Sequence, residues 1–257
     1  MPDQAVSTGA RERHFVVNLG RCGSSLLGAI LADAGADFGV TAPESWDPRT
    51  GQMETDEIRR AAHYFRRAHD ISEGRKFLFS PVLERKVRLH RARRSLRLAL
   101  ARSRFLKIGD LDLVVQPAFK LGYVPSVIVN FRQLEPMLPS LLVGRTHVGP
   151  DELAREYVRI YRQALILLQT FGGCTVEYND LLDPRATGWA DGLAAVAGCT
   201  PESLLQARAR RVNGEPDPAE VTPVYEDAFA LLQSLRTYRG RAVRRSRQVT
   251  RAIAARN

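Results

Sequence analysis

A glycine-punctuated segment near the N-terminus has the residue types of an anion-binding loop. Gly20 and Gly23 allow a tight turn and a close approach to a ligand, and Arg21 adds a forked cationic donor. Ser24 and Ser25 follow directly and open a helix, so their hydroxyl groups and the helix N-terminus can bind a phosphate-like group. We therefore predict an oxyanion site in this loop; the alternative is an ordinary strand–turn–helix start.

The loop differs from the Walker A sequence of nucleotide-dependent phosphotransferases. That motif has four residues between its glycines and a lysine before the serine or threonine. Here two residues separate Gly20 from Gly23, and Ser24 occupies the position of the lysine. This difference argues against ATP–Mg as the ligand, but a kinase-like P-loop enzyme stays open as an alternative.

The elements around the loop predict an α/β fold. Apolar residues from Phe15 to Leu19 indicate a short strand before the loop, and the helix after it has one apolar face. Three further apolar runs lack alternation and are separated by helical patterns: 105–109, 124–131 and 174–178. Such runs are typical of a parallel sheet covered on both faces. The prediction is a three-layer sandwich with a central, mostly parallel sheet and a P-loop-like strand–loop–helix.

In an open parallel sheet, ligands bind beyond the carboxyl ends of the strands. This rule brings four polar stretches to one edge of the predicted sheet: 20–25, 107–110, the residues from Arg132 onward, and 178–180. Their convergence predicts a ligand site at that edge, with more weight than any one stretch has alone.

The sequence predicts a single α/β domain over residues 14–240, with a flexible N-terminal tail at 1–13 and a basic C-terminal tail at 241–257. Helical patterns cover 56–69, 82–104 and 151–171, and two more helices end at Ala197 and begin near Tyr225. Four prolines between positions 201 and 224 predict an irregular segment there.

Positive charge is concentrated in two segments. Residues 85–107 contain ten Lys or Arg and residues 228–257 contain eight Arg, neither with an acidic residue, whereas the net charge of the whole chain is +10. The rest of the chain is therefore acidic. The two segments are either solvated helix faces or contacts for a polyanionic ligand, an anionic substrate or an anionic membrane surface. No aromatic platform or recognised nucleic-acid-binding motif interleaves with the arginines, which argues against nucleic acid.

Composition predicts a folded protein in a reducing compartment. Hydrophobic residues make up 44% of the chain and charged residues 26%, as in globular domains. The three widely separated cysteines predict neither a disulfide framework nor a zinc site. Because no apolar run resembles a signal peptide or a membrane span, we expect a cytoplasmic protein that can associate peripherally with a membrane.

Four stretches between about residues 14 and 198 resemble the sulfotransferases that use 3′-phosphoadenosine 5′-phosphosulfate (PAPS), particularly their bacterial branch. The first is similar to the loop that binds the 5′-phosphosulfate, with these residues at the matching positions: Gly20, Arg21, Cys22, Gly23, Ser24, Ser25 and Leu26. The second, 107–110, is similar to the lysine-containing strand end. The third, 128–132 with 140–142, resembles the strand and helix that bind the 3′-phosphate. The fourth, 176–182, contains Tyr178 and resembles the stretch that closes the core.

The resemblance implies a metal-independent enzyme that transfers the sulfuryl group of PAPS to a hydroxyl of a carbohydrate, glycolipid or small metabolite. Arg132 and Ser140 would hold the 3′-phosphate, and Lys107 would stabilise the charge that develops on the leaving phosphate. The turn after Arg132 departs from the family pattern, because its proline, Pro136, is displaced by two positions. A non-catalytic module that binds anions or membranes on the same fold is the third candidate function.

The acceptor hydroxyl must lose its proton, so the resemblance also implies a general base near Lys107. The cytosolic branch of the family has a histidine two residues after this lysine, where this chain has Gly109. Bacterial carbohydrate sulfotransferases resemble one another in using a glutamate just after the first helix. By position, the candidates for the base are, in order, Glu44, Glu54, and then His63 or His69.

Overall fold

The protein is described here from a computed structural model that covers residues 11–17, 19–41, 53–72, 80–109, 111–143, 148–212, 216–217 and 221–238. Its sheet has four parallel strands in the order β2-β1-β3-β4. The strands are β1 Glu12–Val17, β2 Phe105–Ile108, β3 Val124–Phe131 and β4 Gly173–Glu177. Val16 of β1 pairs with Lys107 on one side and with Ile128 on the other. The strand before the glycine loop is therefore central, with a neighbour on each side.

Ten helices pack around the sheet in the described part of the chain: α1 Ser24–Asp33, α2 Asp56–Ser72, α3 Pro81–Arg102, α4 Leu111–Lys120, α5 Leu134–Val143, α6 Pro150–Phe171, α7 Tyr178–Leu182, α8 Gly188–Ala197, α9 Pro201–Arg211 and α10 Glu226–Arg236. The helices lie in two layers, one on each face of the sheet. Successive side chains of a strand point to opposite faces, so apolar side chains on both faces need to be covered.

Phe15 and Val17 of β1 belong to one hydrophobic cluster, which is completed by α2 to α6 and α10. Val16 belongs to a second cluster, on the other face, which is completed by α1, α8 and α9. Both clusters consist of buried aliphatic and aromatic side chains, so each face of the sheet is covered. The predicted three-layer α/β fold with a parallel sheet is confirmed.

The prediction of an irregular segment over 201–224 is wrong for its first half, because residues 201–211 form α9. Thr200 caps this helix by accepting a hydrogen bond from the amide of Ser203 at 3.2 Å, and Pro201 occupies the first turn. Leu204 and Ala207 are buried in the cluster that α9 shares with α1. The proline at 201 therefore marks a helix start rather than a loop.

Several boundaries also differ from the predicted ones. β1 covers 12–17 rather than 15–19, and Leu19 is buried in the loop instead. β4 ends at Glu177 because Tyr178 already begins α7. α4, which contains Pro117, was not predicted.

Candidate active site

The loop between β1 and α1 turns through the left-handed region of the backbone. The φ angle is +80° at Gly20, +56° at Arg21 and +81° at Gly23. For a residue with a Cβ, such as Arg21, this conformation costs roughly 1–2 kcal/mol. Strain of this size persists where the surroundings hold the chain in place, and it is frequent at ligand sites.

The loop leads directly into the N-terminus of α1. The first turn of α1 contains no acidic residue, and its N-cap is Gly23, which has no side chain that could cap the helix. No carboxylate of the first turn therefore neutralises the positive end of the helix dipole, which favours an anion at this position. Ser24 is buried there, whereas Ser25 and Leu26 are half-buried.

Lys107, at the end of β2, reaches this helix N-terminus from the neighbouring strand. Its side chain is 2% exposed, and its Nζ donates a hydrogen bond to Ser25 Oγ at 3.1 Å. Burial lowers the pKa of the Lys107 ammonium group, and the nearby carboxylate of Glu54 opposes that shift. A buried ammonium group next to the first turn of α1 adds a second positive element to the loop.

Glu54 lies close to Lys107 because the chain before α2 packs against α1. Met53, with a φ of +50°, contacts α1 at Gly28, where an added Cβ would stand 3.0 Å from Met53 Cγ. The same Cβ would stand 3.8 Å from Lys107 Cδ. Met53 and Lys107 therefore meet over the one position of α1 that has no side chain. The Glu54 side chain is 17% exposed, with Arg59 Nε 3.9 Å from its Oε2.

The other candidates for the base lie elsewhere. Glu44 is outside the described residues. His63 and His69 are both exposed on α2. Among the described candidates, Glu54 is therefore the one whose carboxylate acts electrostatically on Lys107.

Arg132, just after β3, connects the third strand end with the loop. Its Nη1 donates to the carbonyl oxygen of Arg21 at 3.2 Å, and its guanidinium lies over the Tyr178 ring, 4.4 Å from the centroid. The same ring packs against Gly23, where an added Cβ would stand 2.1 Å from Tyr178 Cδ2. The glycine is therefore required for this contact as well as for the turn. The loop, Arg132 and the start of α7 thus form one contiguous group at the carboxyl edge of the sheet.

A carboxylate that was not predicted from the sequence holds the guanidinium of Arg132. Arg132 Nε and Nη2 donate to the two carboxylate oxygens of Asp217 at 2.6 and 2.5 Å. The Arg132 side chain is 18% exposed and that of Asp217 is 13% exposed, so the pair is largely shielded from water. The amide of Asp217 donates to Asn179 Oδ1 at 3.2 Å, which fixes Asp217 beside α7. A carboxylate therefore occupies the fork of the arginine predicted to bind a phosphate.

Two buried tyrosines on α6 hold the end of β3 in position. Tyr157 donates its hydroxyl to the carbonyl oxygen of Arg132 at 2.9 Å, and Tyr161 donates to that of Asn130 at 3.0 Å. Asn130 Nδ2 donates in turn to the carbonyl oxygen of Val176 on β4 at 3.1 Å. These supports lie outside the predictions made from the sequence, although the spacing of four puts both tyrosines on one face of α6.

Ser140 lies half-buried on α5, and its side chain forms no hydrogen bond with another described residue. Its role with Arg132 stays a prediction. Within the described ranges, no three His, Cys, Asp or Glu side chains form a group that could hold a metal ion. None of the helices described is both long and apolar enough to span a membrane.

Neither a family model nor a curated protein matches this sequence. Among solved structures, the fold is similar to that of the sulfotransferase domain from the Synechococcus PCC 7002 olefin synthase, at 16% sequence identity. The similarity covers 89% of this chain and 95% of that domain, with a TM-score of 0.51. At this identity it establishes the fold: the chain has the α/β architecture of a sulfotransferase domain.

Proposed function

We propose that this protein is a sulfotransferase that transfers the sulfuryl group of PAPS to an alcohol. The observation that carries this proposal is that two cationic side chains from different strand ends contact the strand–loop–helix segment at separate points. Lys107 donates to Ser25 in the first turn of α1, and Arg132 donates to the carbonyl oxygen of Arg21 in the loop. PAPS carries a phosphosulfate at one end and a 3′-phosphate at the other, so it requires two anion sites. The similarity of the fold to a sulfotransferase domain supports the same proposal.

We assign the phosphosulfate to the loop and the N-terminus of α1, within reach of Lys107. In the transfer, the acceptor oxygen forms a bond to sulfur while the bond from sulfur to the 5′-phosphate oxygen breaks. The electron pair of that bond leaves with 3′,5′-ADP. Lys107, Ser25 and the helix N-terminus would stabilise the negative charge on this oxygen, which grows as the bond breaks. Their positions are fixed before the ligand arrives, so little reorganisation is needed.

The acceptor's proton needs a base, and we assign that role to one of two carboxylates, Glu44 or Glu54. The electrostatic influence of Glu54 on Lys107 supports the second. Glu44→Gln and Glu54→Gln separate them: in the variant that lacks the base, kcat should fall by about 10²- to 10⁴-fold. The affinity for 3′,5′-ADP should stay unchanged in that variant, because the base acts on the acceptor. If both variants keep wild-type kcat, neither carboxylate is the base.

At the other end we assign the 3′-phosphate to Arg132, with Ser140 as a further ligand. A guanidinium group binds phosphate and carboxylate with the same two-pronged geometry, so the phosphate would replace Asp217. The contacts of Arg132 with the Tyr178 ring and with the Arg21 carbonyl do not involve the carboxylate. They can therefore keep the guanidinium in place during this exchange.

Thermal denaturation with three ligands tests the proposal: 3′,5′-ADP, ATP–Mg, and inorganic phosphate as a control. A ligand at 100 times its dissociation constant stabilises the folded state by about 2.7 kcal/mol. We expect this stabilisation with 3′,5′-ADP at millimolar concentration or below. The absence of any shift with 3′,5′-ADP would rule out the sulfotransferase, and a larger shift with ATP–Mg would favour the kinase-like alternative. Incubation with labelled PAPS and a cell extract then identifies the acceptor class from the labelled product.

A further inference from the structure

The N-terminal half of α3 lies on the surface of the protein. From Pro81 to Arg91 no residue of this helix is buried. The residues of α3 that are buried all lie in its second half: Ala92, Leu96, Ala99 and Leu100. That half packs with α2 in the hydrophobic cluster on one face of the sheet, whereas the first half contributes the half-buried Leu89 to the same cluster and has no fully buried residue.

The exposed side of α3 is unusually apolar for a helix surface. Of the eight exposed large hydrophobic side chains in the described part of the chain, four lie on this helix. They are Val82, Leu83, Val87 and Leu98, with exposed fractions of 64%, 61%, 43% and 41%. Leu83 and Val87 are four residues apart and therefore lie next to each other on the same side. Exposed aliphatic residues grouped in this way indicate a contact surface more than scattered ones do.

The same side of the helix is strongly basic. Lys86, Arg94 and Arg97 are exposed, and the helical repeat places them on the same side of α3 as Leu83 and Val87. Lys86 is next to the aliphatic pair, and Arg94 and Arg97 follow about two and three turns further along. We call these five residues the docking face. None of its three cations forms an ion pair with a described residue. By contrast, Arg88 pairs with Glu84, and Arg102 pairs with Glu57 at 2.6 Å.

We infer that the docking face binds the surface of an anionic lipid bilayer. An interfacial helix inserts aliphatic side chains at the level of the headgroups, while its Lys and Arg side chains bind anionic headgroups. The long stems of Lys and Arg let the charges reach the headgroups while the stems cover apolar surface. A soluble polyanion would pair with the cations but would leave Leu83 and Val87 in water. The combination of both residue types therefore favours a bilayer over a soluble polyanion.

Vesicle co-sedimentation of the full chain tests the charges. The protein should bind vesicles of phosphatidylcholine with phosphatidylglycerol and should not bind pure phosphatidylcholine. The triple variant Lys86→Gln/Arg94→Gln/Arg97→Gln should weaken binding by about 100-fold, at about 1 kcal/mol for each removed charge. The matched control Arg155→Gln/Arg159→Gln/Arg162→Gln removes the same charge from the exposed face of α6 and should bind as wild type does.

A second pair of variants tests the aliphatic side chains. Leu83→Ser/Val87→Ser should weaken binding to the anionic vesicles by at least about tenfold, since each buried CH₂ group contributes about 0.8 kcal/mol. The control Val143→Ser/Ile166→Ser changes two other exposed aliphatic residues and should have no effect. Heparin in place of vesicles should bind the Leu83→Ser/Val87→Ser variant as well as it binds the wild type.

Three results would overturn the inference. The first is no binding of the wild type to anionic vesicles at low salt, and the second is equal loss in the test and control variants. The third is vesicle binding that depends on the charges but not on Leu83 and Val87, which would assign the face to a soluble polyanion. The unfolding temperature of each variant checks that the fold is kept.

Discussion

Lys107 and Arg132, the two cations at the carboxyl edge of the sheet, are held in different ways. Lys107 is almost fully buried and donates to a neutral hydroxyl, that of Ser25. Arg132 is partly exposed and donates to both oxygens of a carboxylate, that of Asp217. An anion that binds in the fork of Arg132 must therefore first replace the carboxylate of Asp217. An anion at Lys107 would meet an ammonium group that already contacts Ser25 and lies within the electrostatic influence of Glu54. We therefore propose that Lys107 acts on the reacting group, whereas Arg132 exchanges Asp217 for the ligand.

The largest effect should come from the lysine end. Lys107→Met should lower kcat by about 10²- to 10³-fold, because the ammonium group would act on the charge that grows on the leaving oxygen as its bond to sulfur breaks. The affinity for 3′,5′-ADP should fall as well, because this product carries the full charge on the same oxygen. The fold should be kept because the methionine side chain can fill the space of the lysine stem beside Gly28. Initial rates with PAPS measure the first effect and titration calorimetry the second.

Lys120→Met is the matched control, since Lys120 is an exposed lysine at the end of α4. It should retain wild-type rates. Wild-type turnover in Lys107→Met would exclude this lysine from the chemistry.

The next effect concerns the contact between the glycine loop and Tyr178, whose ring lies against Gly23. An alanine at Gly20 or at Gly23 is strained by the left-handed backbone, at roughly 1–2 kcal/mol. Only Gly23→Ala also meets the Tyr178 ring, since no described residue other than the two chain neighbours lies within 4 Å of an added Cβ at Gly20. Gly23→Ala should therefore lower the free energy of unfolding more than Gly20→Ala does, and should also weaken the binding of 3′,5′-ADP.

Urea denaturation and titration calorimetry on the two variants give the comparison. Equal effects of both substitutions on stability and on binding would mean that the ring contact is unimportant for the site.

A smaller effect, opposite in sign, should come from the arginine end. Asp217→Asn removes the charge that competes for the guanidinium, so 3′,5′-ADP should bind more tightly, by about tenfold. The variant should also be slightly less stable to urea, because it loses a shielded ion pair. Weaker binding in calorimetry would mean instead that Asp217 positions Arg132 for its ligand.

How much of this comparison could be predicted from the sequence differs between the two ends. The position of Lys107 could be predicted, because the strands 105–108 and 124–131 are visible in the sequence as apolar runs. In a parallel sheet the carboxyl ends of such strands lie at one edge, where ligands bind. The nearly complete burial of Lys107 could not be predicted, since its side chain lies beside Gly28, where Met53 from a distant segment also packs.

At the other end, the partner of Arg132 lies 85 positions away. Asp217 belongs to no periodic pattern and follows a proline, so the sequence offers no signal that it meets an arginine. The helix α9 is hard to predict for a related reason: Pro201 suggests a break in the chain, although Thr200 and Ser203 around it form a helix cap. Local patterns thus predicted the sheet and the loop, whereas contacts between distant segments determine the state of the site.

The preference of the protein for a 3′-phosphate tests the central claim most directly. The ratio of the dissociation constants of 5′-AMP and 3′,5′-ADP is measured by calorimetry in Asp217→Asn, with and without Arg132→Ala. The shared background avoids leaving an unpaired carboxylate beside the ligand. With Arg132 present, 3′,5′-ADP should bind at least about tenfold more tightly than 5′-AMP, and with Arg132→Ala the ratio should fall to about one. Equal binding of both nucleotides with Arg132 present, or a preference that survives its removal, would contradict a two-anion site at this edge of the sheet.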